Sequence, residues 1–192
     1  MFSKNKIKSL LSRPEFSALA IFIFLLVVFT FTNDRFLNSR NFMVILSTYP
    51  ELALVALGIT ILMISGEFDL SVGSVFAVSP IVTMILIADY ELHYILSILL
   101  GLLAAALIGL INAVVTIKFK IPSFIATLGM LFMARSIAVV ISGGFPPSVP
   151  KDLPTDWLVG RVDMLRVSIF WLIGIALICN YMLKKTNFGS WV

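Results

Sequence analysis

Between Arg40 and Lys118 the chain carries no lysine or arginine, and only Glu51, Glu67, Asp69, Asp89 and Glu91 interrupt the apolar runs there. Across the whole sequence 60% of residues are hydrophobic and 12% are charged, about half the charged fraction of a soluble domain. A water-facing fold of 192 residues cannot hide that much apolar surface in its core. Lipid is therefore the solvent for most of the length, and the expected fold class is all-α: a polytopic transmembrane helical protein.

About six spans are expected, over residues 16–32, 42–65, 71–88, 94–117, 123–141 and 167–183. They make up a membrane region over 16–183, between a basic cytoplasmic tail at 1–15 and a cytoplasmic end at 184–192. The first run follows basic residues as a signal peptide would, but Phe31-Thr32-Asn33-Asp34-Arg35 offers no small-x-small cleavage site, so an uncleaved span is expected. Pro50 interrupts the second run. Starting after it would leave about 15 residues, roughly 22 Å, too short for a ~30 Å core, so the helix is extended back to Phe42 with a kink at Pro50.

Orientation follows from the basic residues. With the N-terminus cytoplasmic and six crossings, eight fall inside: Lys4, Lys6, Lys8, Arg13, Lys118, Lys120, Lys184 and Lys185. Five fall outside, and Arg135 lies within the fifth span. Treating the Glu67 segment as a re-entrant dip would change the balance to seven inside against six outside, so positive-inside bias favours six crossings with both termini cytoplasmic. The net charge of +4 is thereby a topology signal, because the cations flank spans and form no stripe for nucleic acid.

Gly101, Ala105, Gly109 and Ala113 recur every four residues and lay one small-residue stripe along the fourth helix, a packing face. The single cysteine, Cys179, lies in an apolar run as a packing residue, and the single histidine, His93, has no ligand partners in sequence; no metal site is expected.

Two interruptions carry the chemistry. Ser65-Gly66-Glu67-Phe68-Asp69-Leu70-Ser71-Val72-Gly73-Ser74 sets two acids and two glycines between apolar spans with no basic neighbour. Acids near a bilayer are costly and usually serve a purpose. Here Asp69 or Ser71 caps the third helix while Gly66 ends the second, or the break exposes backbone groups to a polar cavity; these readings are compatible. The second break is Lys118-Phe119-Lys120-Ile121-Pro122-Ser123-Phe124-Ile125-Ala126-Thr127-Leu128-Gly129, where Pro122 suits a first helical turn. Further on, Arg135 must snorkel, face water or find an acid, with Glu67 and Asp69 as possible partners. The extracytoplasmic loop over 143–166, rich in proline and carrying Phe145 and Trp157, reads as a docking or gating surface, or as a rigid connector anchored by its tryptophan. There is no phosphate-binding glycine loop, no His-Glu-x-x-His and no catalytic triad pattern, so no catalytic residues and no enzyme activity are expected, and an energy source must lie on another chain.

The two breaks resemble the signatures of the ribose/xylose/galactose-type ABC transporter permeases. Gly66 to Ser74 is similar to the first; Asn112, then Ile121 to Gly129, Arg135 and Gly143-Gly144, is similar to the second in order and spacing, and Thr186-Asn187-Phe188-Gly189 looks like the Thr-x-Phe-Gly beyond the next span. Ser136 departs from the glycine frequent there. The resemblance implies a multi-pass subunit of the bacterial cell (inner) membrane that forms a sugar pathway in a binding-protein-dependent ABC importer. It implies a dimer with a second permease subunit, cytoplasmic ATP-binding subunits, an extracytoplasmic sugar-binding protein, and no cofactor in this chain, ATP being held by the partner. By this similarity Asp69, Ser71, Ser74, Asn112, Thr127 and Arg135 line or stabilise the pathway. It further implies an Ala-rich coupling segment and later spans beyond Val192. The competing readings are half of an ATP-independent secondary transporter or channel, and a membrane scaffold.

The charge balance makes a direct prediction. With single cysteines introduced in a Cys179→Ser background, positions 67, 120 and 185 should react with an impermeant thiol reagent from the cytoplasmic side, and positions 35, 91 and 152 from the other. Reaction of 67 and 91 from the same side would remove one crossing.

Overall fold

A computed structural model describes residues 14–150, 152–162 and 165–192. The expected basic tail with Lys4, Lys6, Lys8 and Arg13 lies outside the described residues. The main helices are α1 (Pro14–Thr32), α2 (Ser39–Ile64), α3 (Val72–Ala88), α4 (Tyr94–Phe119) and α5 (Ser123–Ile141). After these come a single turn α6 (Asp156–Val159), a hairpin of β1 (Arg161–Val162) and β2 (Leu165–Arg166), then α7 (Ser168–Lys185) and a closing turn α8 (Phe188–Trp191). The protein is an all-α polytopic membrane protein; its two-residue strands, which pair Arg161 with Arg166 and Val162 with Leu165, are confined to the loop before α7. By length and composition α2, α4, α5 and α7 are each able to cross a bilayer, and Phe16–Thr32 and Val72–Ala88 are shorter apolar helices.

The helix ends follow local chemistry. Asn38 accepts the amide of Arg40 at the start of α2. Its exit is a Schellman turn: Gly66 takes φ +83°, its N–H donates to Met63 O, and Glu67 N donates to Leu62 O. The same device closes α5, where Gly143 and Gly144 take positive φ and donate to Val140 and Val139. Pro50 lies buried within a continuous α2. At the other break Pro122 occupies the N-cap of α5, one position before the helical turn expected for it, and Lys120 adopts the left-handed region at φ +57° to end α4.

Packing divides the chain. Helices α3, α4 and α5 form a three-helix bundle, and α2 pairs with α7, with the hairpin against both. The core is small: Val78 of α3 meets Met130, Ala134 and Ala138 of α5, flanked by Ile81, Val82 and Ile108. Most other large apolar side chains point outward, as expected where lipid is the solvent.

The α4 stripe is used unevenly. Gly101 is buried where α3 crosses, and a Cβ there would come within 2.7 Å of Ser79 O and clash with the Thr83 hydroxyl. Ala105 is half-buried, and at Gly109 a Cβ would meet no heavy atom within 4 Å. Thermal unfolding of the purified protein in detergent should reflect this. Gly101→Leu should cost about 1–3 kcal/mol through overpacking, whereas Gly174→Ala, with open space around it, should be neutral or slightly stabilising.

Candidate functional site

The break between α2 and α3 leaves residues 65–71 without a helix ladder, and their amides need partners. α5 supplies them. Phe68 N donates to Ser123 Oγ (3.3 Å) and Leu70 N to Thr127 Oγ1 (3.1 Å). Alternate residues of an extended segment lie about 6.6 Å apart and residues four apart on a helix about 6.0 Å, so the two spacings match. One turn further along α5, Ser74 Oγ donates to Leu131 O (2.8 Å). Ser123, Thr127 and Leu131 thus form a rail along which the break and the first turn of α3 are laid.

Asp69 anchors the second layer. Its Oδ1 accepts both Ser71 N (2.7 Å) and Ser71 Oγ (2.6 Å), closing an Asx-type turn at the start of α3. Ser71 Oγ in turn accepts Asn112 Nδ2 from α4 (2.9 Å). Ser71 is fully buried and Ser74, Asn112 and Thr127 nearly so. Five residues singled out from the sequence (Asp69, Ser71, Ser74, Asn112 and Thr127) therefore meet where the three helices converge. The local reading of the break is seen: Gly66 ends α2, and Asp69 closes the turn into Ser71, the N-cap of α3. The amides of Phe68 and Leu70 are taken by α5, and a polar-edged cavity of about 510 Å³ lies alongside. Leu62, Ser65, Glu67, Asp69, Asn112 and Thr127 are among its lining residues, with Gly109 and Ala113 of the small-residue stripe on its α4 wall.

Arg135 does not join this cluster. It is exposed on α5, eight residues or about 12 Å beyond Thr127, and makes no ion pair with Glu67 or Asp69. The one ion pair among the described residues joins Arg166 Nη1 to Glu51 Oε1, with Ser168 Oγ on the same oxygen (3.2 Å). It ties the hairpin and the start of α7 to α2 one residue past Pro50. Sequence reasoning missed this clasp, although Glu51 as an acid within an apolar run was its signal. Ser123 was likewise visible in the second break without being recognised as a backbone acceptor. In the loop, Trp157 packs edge-on against Trp171 at 6.1 Å and accepts its indole N–H at the backbone (3.3 Å), so this stretch folds onto α7.

A family model described as branched-chain amino acid transport system / permease component matches residues 41–192. Among curated proteins the chain is similar to the xylose/arabinose import permease protein of Sulfolobus acidocaldarius, with 32% identity over 96% of this chain and 53% of that protein. It is also similar to the autoinducer 2 import system permease protein of Escherichia coli, at 31% over 95% of this chain and 53% of that one. The ribose import permease protein of Escherichia coli strain K12 is 27% identical over 92% of this chain and 56% of its own length. The chain spans about half the length of these curated relatives. No solved structure gives a significant match. With its apolar helices and a match over most of its length, the chain belongs to the branched-chain amino acid transport system / permease component family, whose members are transport subunits of membranes and not enzymes by kind.

Proposed function

We propose that this chain forms part of the membrane-spanning permease subunit of a binding-protein-dependent ABC importer of the cell membrane, and that it shapes the pathway for a sugar or sugar-like solute. The observation that carries the reading is the buried polar cluster joining both helix breaks beside a cavity. Helix packing accounts for the hydrogen bonds within this cluster, but it gives no reason to keep the Glu67 carboxylate, which has no partner among the described residues, on the wall of the cavity beside it. The import permeases named above, for xylose/arabinose, ribose and autoinducer 2, support the same class of solute. In this reading Asp69 and Asn112 face the pathway, Ser71, Ser74 and Thr127 hold its wall, and Arg135 turns toward water or protein outside this bundle. Separate cytoplasmic ATPase subunits supply the energy, an extracytoplasmic binding protein delivers the solute, and a second permease subunit completes the channel.

Reconstitution of the full-length permease with those partners tests this. Uptake should stop when ATP is withheld; uptake that persists would favour an ATP-independent transporter. Two substitutions separate pathway from scaffold. Asp69→Asn keeps an acceptor for Ser71 and should leave folding intact while lowering the uptake rate. Asp69→Ala strands a buried amide and hydroxyl, costing about 1–3 kcal/mol of stability as well. Unchanged uptake by a folded Asp69→Asn protein would make the cluster structural only.

A further inference from the structure

We infer that the cleft at the turn between α1 and α2 binds an anionic phospholipid, with its phosphate on Arg35 and Arg40 and its hydrocarbon along Phe29, Val44 and Ile45. Nothing in this depends on which solute the protein carries. The cleft holds about 590 Å³, within the roughly 300–1,000 Å³ usual for ligand sites. The turn that frames it is internally bonded. Phe36 N donates to Asn33 O, Asn38 N donates to Arg35 O, and the Phe36 ring stacks on Phe29 at 5.6 Å. Among the described residues neither Arg35 nor Arg40 has an ion pair, and Asp34 of the same turn does not line the cleft. With six crossings this turn lies outside, where positive-inside bias disfavours cations. Two unpaired guanidiniums held there beside one cleft fit a local anion.

The asparagines extend the donor set. Asn33 Oδ1 accepts Arg35 N (2.9 Å) and Asn38 Oδ1 accepts Arg40 N (3.2 Å), so each amide has its NH2 group left to offer a ligand. Asn41 is turned the other way: its Nδ2 donates to Phe36 O (2.8 Å), leaving Oδ1 to accept from a headgroup hydroxyl. No carboxylate lines the cleft. The N-terminus of α2 is offset by the C-terminus of α1, each about half a charge, so the guanidiniums decide the sign. Their planar forks match phosphate oxygens in paired hydrogen bonds.

Polarity also changes with depth. Phe29 lies three residues before the end of α1, and Val44 lies five residues after the start of α2. Those offsets are about 5 Å and about 8 Å of helix rise into the spans. A phospholipid has the same order along its length, phosphate first and hydrocarbon next. A soluble anion would leave the apolar end unused, and an apolar protein segment would leave both arginines without a partner. α1 packs closely on no other described helix, which leaves a lateral way in from the bilayer. Basic pockets between spans hold anionic headgroups by this combination of charge and apolar wall.

The test uses the full-length permease in complex with its partners, in phosphatidylcholine nanodiscs, with a fluorophore on Thr48→Cys in a cysteine-free permease background. Thr48 is exposed one turn beyond Val44 and does not line the cleft, so the label leaves the site open. Brominated phosphatidylglycerol should quench the label at a roughly tenfold lower mole fraction than brominated phosphatidylcholine. Arg35→Gln/Arg40→Gln should bring the two lipids together. Arg161→Gln, which removes an exposed cation from the hairpin, should leave the preference whole. Equal quenching by the two lipids in the parent protein overturns the inference, and that comparison needs no arginine variant to fold. A preference that survives Arg35→Gln/Arg40→Gln, or that Arg161→Gln removes as well, overturns it too. So does an absence of quenching by either lipid, as for a cleft covered by another protein segment. Loss of the preference in millimolar glycerol 3-phosphate would make this a site for a soluble anion and would equally overturn it.

Discussion

A backbone amide inside a bilayer has no water to turn to, and the break between α2 and α3 exposes several of them. α3 rises only about 26 Å over its 17 residues, so a span built on it brings its entry to the edge of a ~30 Å hydrocarbon layer. The hydroxyls of Ser123 and Thr127 and the carboxylate of Asp69 substitute for the missing helix ladder. The arrangement fixes α5 against the break, and α5 then carries Met130, Ala134 and Ala138 along the same face to meet Val78. The small apolar core and the polar site are consecutive parts of one helix–helix contact.

This coupling explains how a bundle with so few buried residues holds a defined polar site. Lipid provides no hydrophobic drive for helices to associate, so close approach and interhelical hydrogen bonds must set their positions. Gly101 supplies the close approach between α4 and α3, and the Asn112–Ser71–Asp69 chain supplies the hydrogen bonds at the other end of the same pair. Away from the bundle, the Glu51–Arg166 pair fastens the hairpin and α7 to α2. The carboxylates of Glu51 and Asp69 are thus each tied to a particular joint of the fold, while Arg135 is left facing outward.

Much of the site was legible in the sequence, for identifiable reasons. Gly66 and Gly143 mark helix exits because only a residue without Cβ takes positive φ at little cost, and acids or amides in apolar runs stand out by their desolvation penalty. Asp69, Ser71 and Asn112 were conspicuous on those grounds or through the resemblance. Ser123 was not, since a serine at a helix start is commonplace and its role depends on which strand of backbone lies beside it. Of the fates open to Arg135, pairing with Glu67 or Asp69 is not the one found, because two turns of α5 carry it away from the break.

Composition and charge placement by themselves determined that this chain is solvated by lipid, where its helices run, and where they are interrupted. Those properties are local: a bilayer tests each segment for apolar length, and a glycine or proline acts within a few residues of itself. The tertiary structure decided which break lies against which helix, that five polar residues meet while Arg135 stands apart, and that the amide oxygen of Asn112 is left without a donor. Those outcomes depend on pairs separated by 41 and 57 residues, and no local propensity encodes the distance between such residues.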